Sequence, residues 1–479
     1  MAKKKKENNK KGYKRAVLLF FFITLVSLFI FVYKIYKMDI LKIEYFMILC
    51  ITCVVVALVI FLLALKSKKG FTRFIAFFIL IVLNIIPIYF LYNINLTESL
   101  ITSASNAITK REIYNVYVLK ESPIRKVSDL KDKKIGIFNN NSKTLIKAVA
   151  GLKKEVKGAL KKETYYDEID TILNSGISKE EDAIFITSTL ENILNEQYYE
   201  MIQKYKVIKT IEVSEIEKVK KTTTDITKDS FVMYISGIDT YGNIGTVSRS
   251  DVNILIAVNP KTNKILLVNT PRDYYVKLHS KGAYDKLTHA GIYGIEESVN
   301  TLEDLYDIKI AYYIKVNFSS LIKLIDAIGG VEVDSKYAFS YDGYTFRKGK
   351  NKLYGKAALA FSRFRKGLPE GDISRGENQE AVIKAIIDKI TSPSIITNYS
   401  SIIGSLEKSF ITNISTEDIY KLAKYQMNNT VNWEVTNANA LGYDSFDVTY
   451  STGRTKLYVM KQNESSILSV KTSLKSLLE

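Results

Sequence analysis

Between Ser230 and Gln379 the chain spaces Asp and Arg residues into five short clusters. They are Gly237-Ile238-Asp239, Ser248-Arg249-Ser250-Asp251, Pro271-Arg272-Asp273, Arg363-Phe364-Arg365, and Gly371-Asp372 through Arg375-Gly376 to Gln379. A guanidinium offers a fork of N–H donors that matches phosphate oxygens two at a time and stays charged at any accessible pH. Carboxylates interleaved with such forks suit a hard divalent cation held between protein and phosphate. Singly, each cluster has a plainer reading: a turn acid at Asp239, a local ion pair at Arg249 and Asp251, a capped helix start at Asp372–Gln379. Jointly they point to phosphoryl chemistry at a metal-bound diphosphate.

Three of the clusters follow strongly apolar runs, which predicts strand ends on a rigid scaffold. Phe231–Ile235 reads as a buried strand, and Val252–Val258 with Lys264–Asn269 as a hairpin around the turn Asn259–Asn263. Helices are expected at Ser298–Asp307, Ser319–Ile328, Gly355–Arg363 and Arg375–Ile390, with a strand at Ala311–Val316. The fold class is therefore α/β, a mixed central sheet flanked by helices, assigned to 230–393, with 394–479 as a C-terminal extension that packs on or follows it and has no assigned role. Upstream, Tyr114–Leu119, Lys134–Phe138 and Ala183–Thr187 read as strands around a helix at Ser142–Leu160, giving a small α/β accessory domain at 110–213. Its Lys/Glu-rich helices are solvated faces and hold no acid, base or metal constellation. Residues 94–109 read as a polar stalk, and 214–229, charged and Thr-rich, as a linker.

Before the stalk, Ala16–Tyr33, Tyr45–Leu65 and Phe74–Tyr92 contain no Lys, Arg, Asp or Glu, and each is long enough to cross a bilayer as a helix. Residues 1–73 carry a net +12 of the chain's +18, concentrated in the basic N-terminus (1–15) and in Lys66–Arg73. By the positive-inside rule the N-terminus is cytoplasmic, and three spans (16–93) leave the bulk of the chain extracytoplasmic at the cell membrane. The basic excess is thus a topology signal and not one folded face, which argues against nucleic acid as a partner. Cys50 and Cys53 lie within the second span, where a metal or redox role is not expected, and the outer portion has no cysteine. Its stability must come from core burial, as fits a Gram-positive surface protein.

The order Gly-x-Asp, Ser-Arg-Ser-Asp, Pro-Arg-Asp, Lys286-Leu-Thr-His-Ala, Phe361-Ser-Arg-Phe-Arg-Lys-Gly and Gly371-Asp-x-x-Arg-Gly-x-x-Gln resembles the LytR-CpsA-Psr (LCP) family. The three spans and the extra outer domain resemble its capsule-associated CpsA branch. The resemblance implies transfer of a capsular polysaccharide or related wall polymer, such as teichoic acid, from a polyprenyl diphosphate carrier to peptidoglycan, with Mg²⁺. It implies that Asp239 and Asp251 hold the metal. Arg249, Arg272, Arg363, Arg365 and Arg375 would bind the diphosphate, with the Gln379 amide and, less centrally, Lys286; His289 falls in the same segment. Asp251, Arg249, Arg272 and Arg365 would be catalytic, while the general base stays open between Asp251, Asp273 and Asp372. The carrier's tail needs a dry groove, for which Phe318, Leu321, Ile322 and Ile325 are the candidates. The implied partners are the polyprenyl diphosphate-linked glycan, peptidoglycan, the membrane and capsule synthesis proteins. Two alternatives stay in view: a pyrophosphatase on the same lipid-linked glycan, and a non-enzymatic membrane regulator of polymer synthesis.

Overall fold

A computed structural model describes residues 2–38, 43–92, 95, 107–139, 142–218, 222–241, 243–392, 409–429, 431–453 and 455–479. The expected stalk therefore lies largely outside the described residues, and only its last three residues, 107–109, are described as part of a strand. The chain forms two compact units, the first comprising Met1–Thr102, Asp225–Thr227 and Ser415–Asn432. In it, α1 (Ala2–Met38), α2 (Ile43–Lys66) and α3 (Gly70–Val82) contain or begin three stretches long and apolar enough to cross a membrane: Lys11–Lys37, Ile43–Lys66 and Gly70–Tyr92. Val17, Ala64, Ala76 and Leu80 are buried where these helices meet. Asn84 donates to Thr24 Oγ1 at 3.0 Å and accepts from Ser27 Oγ at 2.9 Å. Such polar contacts join helices that have no hydrophobic drive to associate in lipid.

The second unit begins with a five-stranded sheet of β1 (Ala107–Leu119), β2 (Lys134–Phe138), β3 (Lys162–Tyr166), β4 (Ala183–Thr187) and β5 (Tyr205–Lys218), in the order β3-β2-β4-β1-β5. α4 (Lys143–Val156) lays Leu145, Ala148, Val149, Leu152 and Val156 on this sheet, a stripe at helical spacing. α5 (Ile169–Ile177) and α6 (Glu191–Gln197) cover it as well, with Ile172, Leu173, Ile193 and Leu194 in a second cluster. The first five residues assigned to the linker are strand instead. β5 runs to Lys218 because β1 starts at Ala107 and offers it a partner along its whole length (Ala107↔Lys218).

The larger sheet contains β6 (Phe231–Ile238), β7 (Ser250–Asn259), β8 (Lys264–Asn269), β9 (Tyr312–Asn317), β10 (Ile411–Thr412) and β11 (Glu434–Asn439), ordered β10-β9-β6-β7-β8-β11. β9 is parallel to β6 and β11 to β8, while the remaining pairs are antiparallel, so the sheet is mixed as expected. α7 (Ile295–Tyr306) and α11 (Glu464–Leu478) close one face: Leu302, Tyr306, Ile467, Val470 and Leu474 pack on Val232, Tyr234, Leu255, Ala257, Leu266 and Val268. Asn269, one residue on from Val268, turns to the opposite face. There α10 (Asp372–Ile390) comes so close that a Cβ on Gly376 would meet Asn269 Nδ2 at 1.9 Å. α8 (Phe318–Ala327) and α9 (Gly355–Arg363) pack beside α10 around Ile325, Ile328, Phe361 and Val382.

The boundary at 393 does not hold. β11 completes the central sheet and α11 buries its apolar face on it, so residues 433–479 are structurally part of the same fold. Glu380 ties the two parts together: fully buried on α10, it accepts from Asn437 Nδ2 of β11 at 2.8 Å. Burial, with Glu377 adding to it, pushes this carboxyl from 4.5 up to about 8. The folded chain therefore keeps a proton that the unfolded chain releases, and stability falls as pH rises from about 4.5 to about 8. Glu380→Gln removes that titration. It is expected to stabilise the protein by about 1–3 kcal/mol near pH 9, with little effect near pH 4. Thermal melting at the two pH values reads the difference, and an equal shift at both would contradict it.

Candidate functional site

Strand register gathers the clusters at one end of the central sheet. Ile238 at the end of β6 pairs with Ser250 at the start of β7, which puts Asp239 beside Asp251. Ile254 pairs with Asn269, so the chain leaves β8 for Pro271-Arg272-Asp273 at the same end. Asn317 pairs with Ile238 in parallel and caps α8, accepting from Ser320 N at 2.9 Å, which seats Phe318 and Leu321 next to Asp239. From across the opening come Arg363 at the end of α9, and Arg375 and Gln379, one turn apart on α10.

These residues enclose a cavity of about 230 Å³ lined by Asp239, Asp251, Arg272, Arg363, Arg375 and Gln379 on its polar side. Val252, Val316, Phe318, Leu321 and Leu359 supply an apolar side, with Tyr341 and Ser362 between. Arg272 Nη1 donates to Asp251 Oδ2 at 2.8 Å, and its Nε lies 3.5 Å from Asp273 Oδ2. Thr288 Oγ1 donates to the other Asp251 oxygen at 2.9 Å. Arg375 Nη2 reaches Asp372 at 2.6 Å, and the Arg363 guanidinium stacks 4.5 Å over the Phe318 ring. The Nε atoms of Arg249, Arg272 and Arg375 are all buried without a hydrogen-bond partner. Buried guanidinium groups short of partners, two of them in the cavity wall, are costly to hold, and an anion nearby offsets that cost.

The two cavity carboxylates are shifted in opposite directions. Burial pushes Asp251 up, but Arg272, Arg249, Arg375 and the Thr288 hydrogen bond outweigh it and hold the carboxyl below its ordinary range. Asp239 is raised, by burial and then by repulsion from Asp251, against the pull of Arg363, Arg249 and Arg272. No side chain donates to Asp239 among the described residues. No group of three or more His, Cys, Asp or Glu that could hold a metal occurs among them either. An undonated carboxylate repelled by its neighbour nevertheless fits a hard divalent cation, since magnesium commonly takes one or two carboxylates and completes its shell with phosphate and water oxygens.

Not every residue singled out in the sequence reaches the cavity wall. Arg249 is buried beside the pocket, and its Nη1 is bound to Glu196 of α6 at 3.1 and 3.2 Å. Arg365 is partly exposed, 3.7 Å from Asp372. Lys286 donates to Asp273 at 2.8 Å, and with Arg272 it holds that carboxyl low despite burial. Ile325 is core, and Ile322 packs its backbone against Gly355, so of the four proposed lipid contacts Phe318 and Leu321 line the opening. Of the three candidate bases Asp251 alone lines it. His289 is a buried pin: its Nδ1 lies 2.6 Å from Asp285 Oδ1 and 2.7 Å from Ser451 Oγ, while Ser451 N donates to Asp285. Both partners share one ring nitrogen, unlike an activated serine, which needs the other nitrogen. Sequence reasoning missed Thr288 and Glu196. Thr288 lies inside the Lys-Leu-Thr-His-Ala run and was within reach of the motif; nothing local marks Glu196.

Among known proteins, the profile of the LytR_cpsA_psr family matches residues 197–474. Over 211 residues the chain is 38% identical to the polyisoprenyl-teichoic acid–peptidoglycan teichoic acid transferase TagU of Bacillus subtilis (strain 168), spanning 43% of this chain and 68% of that protein. The protein of the same name from Enterococcus faecalis is 37% identical over 212 residues, 43% of this chain and 70% of its own. A crystal structure of B. subtilis TagU aligns over 53% of this chain and 98% of that one, with a TM-score of 0.42 and 33% identity.

Proposed function

Since the chain belongs to the LytR_cpsA_psr family, we propose that it transfers a glycopolymer phosphate from a polyprenyl diphosphate carrier onto peptidoglycan. The polymer we assign is capsular polysaccharide or a related wall polymer. The observation that carries this reading is the cavity itself, where Arg272, Arg363 and Arg375 face Asp239 and Asp251 across a space whose other wall is apolar. A diphosphate would lie among the guanidinium groups and the first isoprene units against Phe318, Leu321 and Leu359.

In the reaction, a peptidoglycan hydroxyl oxygen attacks the phosphorus next to the glycan in line with the bridging oxygen. The new P–O bond forms as the bridging P–O bond breaks. Polyprenyl phosphate departs with the bond's electron pair, and the hydroxyl proton passes to a base or to solvent. Arg272 and Arg375 offset the charge that builds on the non-bridging and leaving oxygens; in a water-poor pocket such fixed donors dominate catalysis. Asp251, locked by Arg272 and Thr288, serves as an ionised ligand rather than a proton acceptor. Magnesium held by Asp239 and Asp251 would add Lewis-acid neutralisation of the diphosphate oxygens. The three apolar helices anchor the protein in the membrane, and we assign the second unit to the outer side, where carrier and acceptor meet at high effective concentration.

The test supplies labelled lipid-linked glycan to the detergent-solubilised full chain with and without peptidoglycan. Label in the wall fraction, dependent on magnesium and lost in Asp251→Ala, is the expected result. Free phosphorylated glycan in equal yield with or without acceptor would instead make the protein a pyrophosphatase. No turnover of any kind would leave the regulator reading.

A further inference from the structure

The accessory sheet and its helices do more than extend the second unit. Arg111 of β1 pairs with the segment that leads into the Ser-Arg-Ser-Asp cluster: its N donates to Gly245 O at 3.1 Å, and Val247 N donates to Arg111 O at 3.2 Å. Lys315 Nζ donates to Thr246 O at 2.8 Å from the other side. Two residues further on, Arg249 turns into the protein, 6% exposed, and its Nη1 spans both oxygens of Glu196 on α6. The helix that carries Glu196 is itself fixed. Ile193 and Leu194 are buried in a cluster that includes Ile292 from beyond the accessory sheet, and Tyr198, just past the helix, donates to Thr452 O at 3.0 Å.

Arg249 lies beside the cavity with its Nε buried and unpartnered, and the Glu196 carboxylate spanned by Nη1 is what fixes its guanidinium in place. Arg249 immediately precedes β7 and stands two residues before Asp251, which lines the cavity, so its charge sits at the same end of the sheet as the diphosphate site. We propose that Glu196, on helix α6 of the accessory domain, is a positioning residue that holds Arg249 by Nη1 and so fixes the guanidinium charge beside the substrate diphosphate. The accessory domain thereby becomes part of the phosphate site and not a spacer. Glu196 does not touch the reacting atoms and acts through Arg249. This inference rests on the diphosphate reading of the cavity.

The experiment measures binding of geranyl diphosphate in magnesium-containing buffer to the full chain in mild detergent, by calorimetry. Removing a negative charge near an anion site should by Coulomb's law tighten binding, whereas losing a positioning contact should weaken it. Glu196→Ala is expected to weaken binding about tenfold, and Glu196→Gln, which keeps an oxygen for Nη1, to recover most of the loss. In an Arg249→Ala background, Glu196→Ala should cause no further loss, since the contact it removes is already gone. With lipid-linked glycan as substrate the effect should appear chiefly in KM. Unchanged or tighter binding in Glu196→Ala overturns the proposal, as does a full additional loss in the Arg249→Ala background. If the wild-type chain does not bind the probe, or Arg272→Ala binds it equally well, the diphosphate reading falls and this inference with it. A wild type that binds, an Arg272→Ala that does not and a silent Glu196→Ala overturn the inference alone.

Discussion

Arg272→Ala is expected to lower kcat/KM for transfer by about 10²–10³-fold, the largest loss of any single arginine at the cavity. Among the described residues, Arg272 alone of the cavity arginines lies within ion-pair distance of two carboxylates, 2.8 Å from Asp251 by Nη1 and 3.5 Å from Asp273 by Nε. Its own charge is favoured further by Asp251, Asp273 and Asp372, despite the cost of burial. Removing it takes one guanidinium from the diphosphate and also leaves Asp251 facing Asp239 with less compensation. Two carboxylates would then repel both each other and the incoming phosphate. Arg272→Lys should not rescue, because an ammonium cannot bind Asp251 and present a second edge to phosphate. Steady-state rates with lipid-linked glycan measure this, alongside melting curves to exclude unfolding. A loss below tenfold, or full rescue by lysine, would mean that Arg272 is a structural ion pair.

Gly355→Ala is expected to be nearly as damaging, by a different route. A Cβ there would meet Ile322 O at 2.4 Å and Ile322 Cα at 2.7 Å, and backbone atoms cannot rotate away. α8 and α9 would have to separate, at a cost of about 1–3 kcal/mol. Those helices carry Phe318 and Leu321 on one side and Leu359, Ser362 and Arg363 on the other, so the wall of the cavity opens with them. Misplacement on that scale should reduce transfer by roughly 10²-fold. Gly151→Ala in α4 is the control: its nearest neighbour lies at 3.5 Å, an ordinary contact, and alanine favours the helix. Reduced melting temperature and reduced rate together in Gly355→Ala, with neither in Gly151→Ala, is the expected pattern. An unchanged rate in a folded Gly355→Ala protein would show that the apolar wall does not need this spacing.

Much of the scaffold was legible because apolar runs and helical stripes announce buried strands and helices without help from distant residues. Lys134–Phe138, Ala183–Thr187, Lys264–Asn269 and Gly355–Arg363 begin and end where pattern alone puts them. Glu434–Asn439 was not legible, for it is polar and half exposed, and it is a strand because β8 offers it a row of backbone partners. The Ser214–Lys218 stretch was misread for the same reason, its partner lying more than a hundred residues upstream. Polar strands at sheet edges owe their existence to pairing and not to propensity.

The amino-acid sequence alone determined the chemistry available to this protein. It set the inventory of fixed positive forks and acids in one stretch, the apolar segments that seek lipid, and the absence of thiols after Cys53. Tertiary structure decided which of those groups can act together. It brought Arg272, Arg363 and Arg375 to one opening, turned Lys286 toward Asp273, and gave Arg249 to a glutamate on helix α6 of the accessory domain. A hydrogen bond reaches about 3 Å, whereas spacing along the chain says nothing about which way a side chain points once strands are paired and helices are packed.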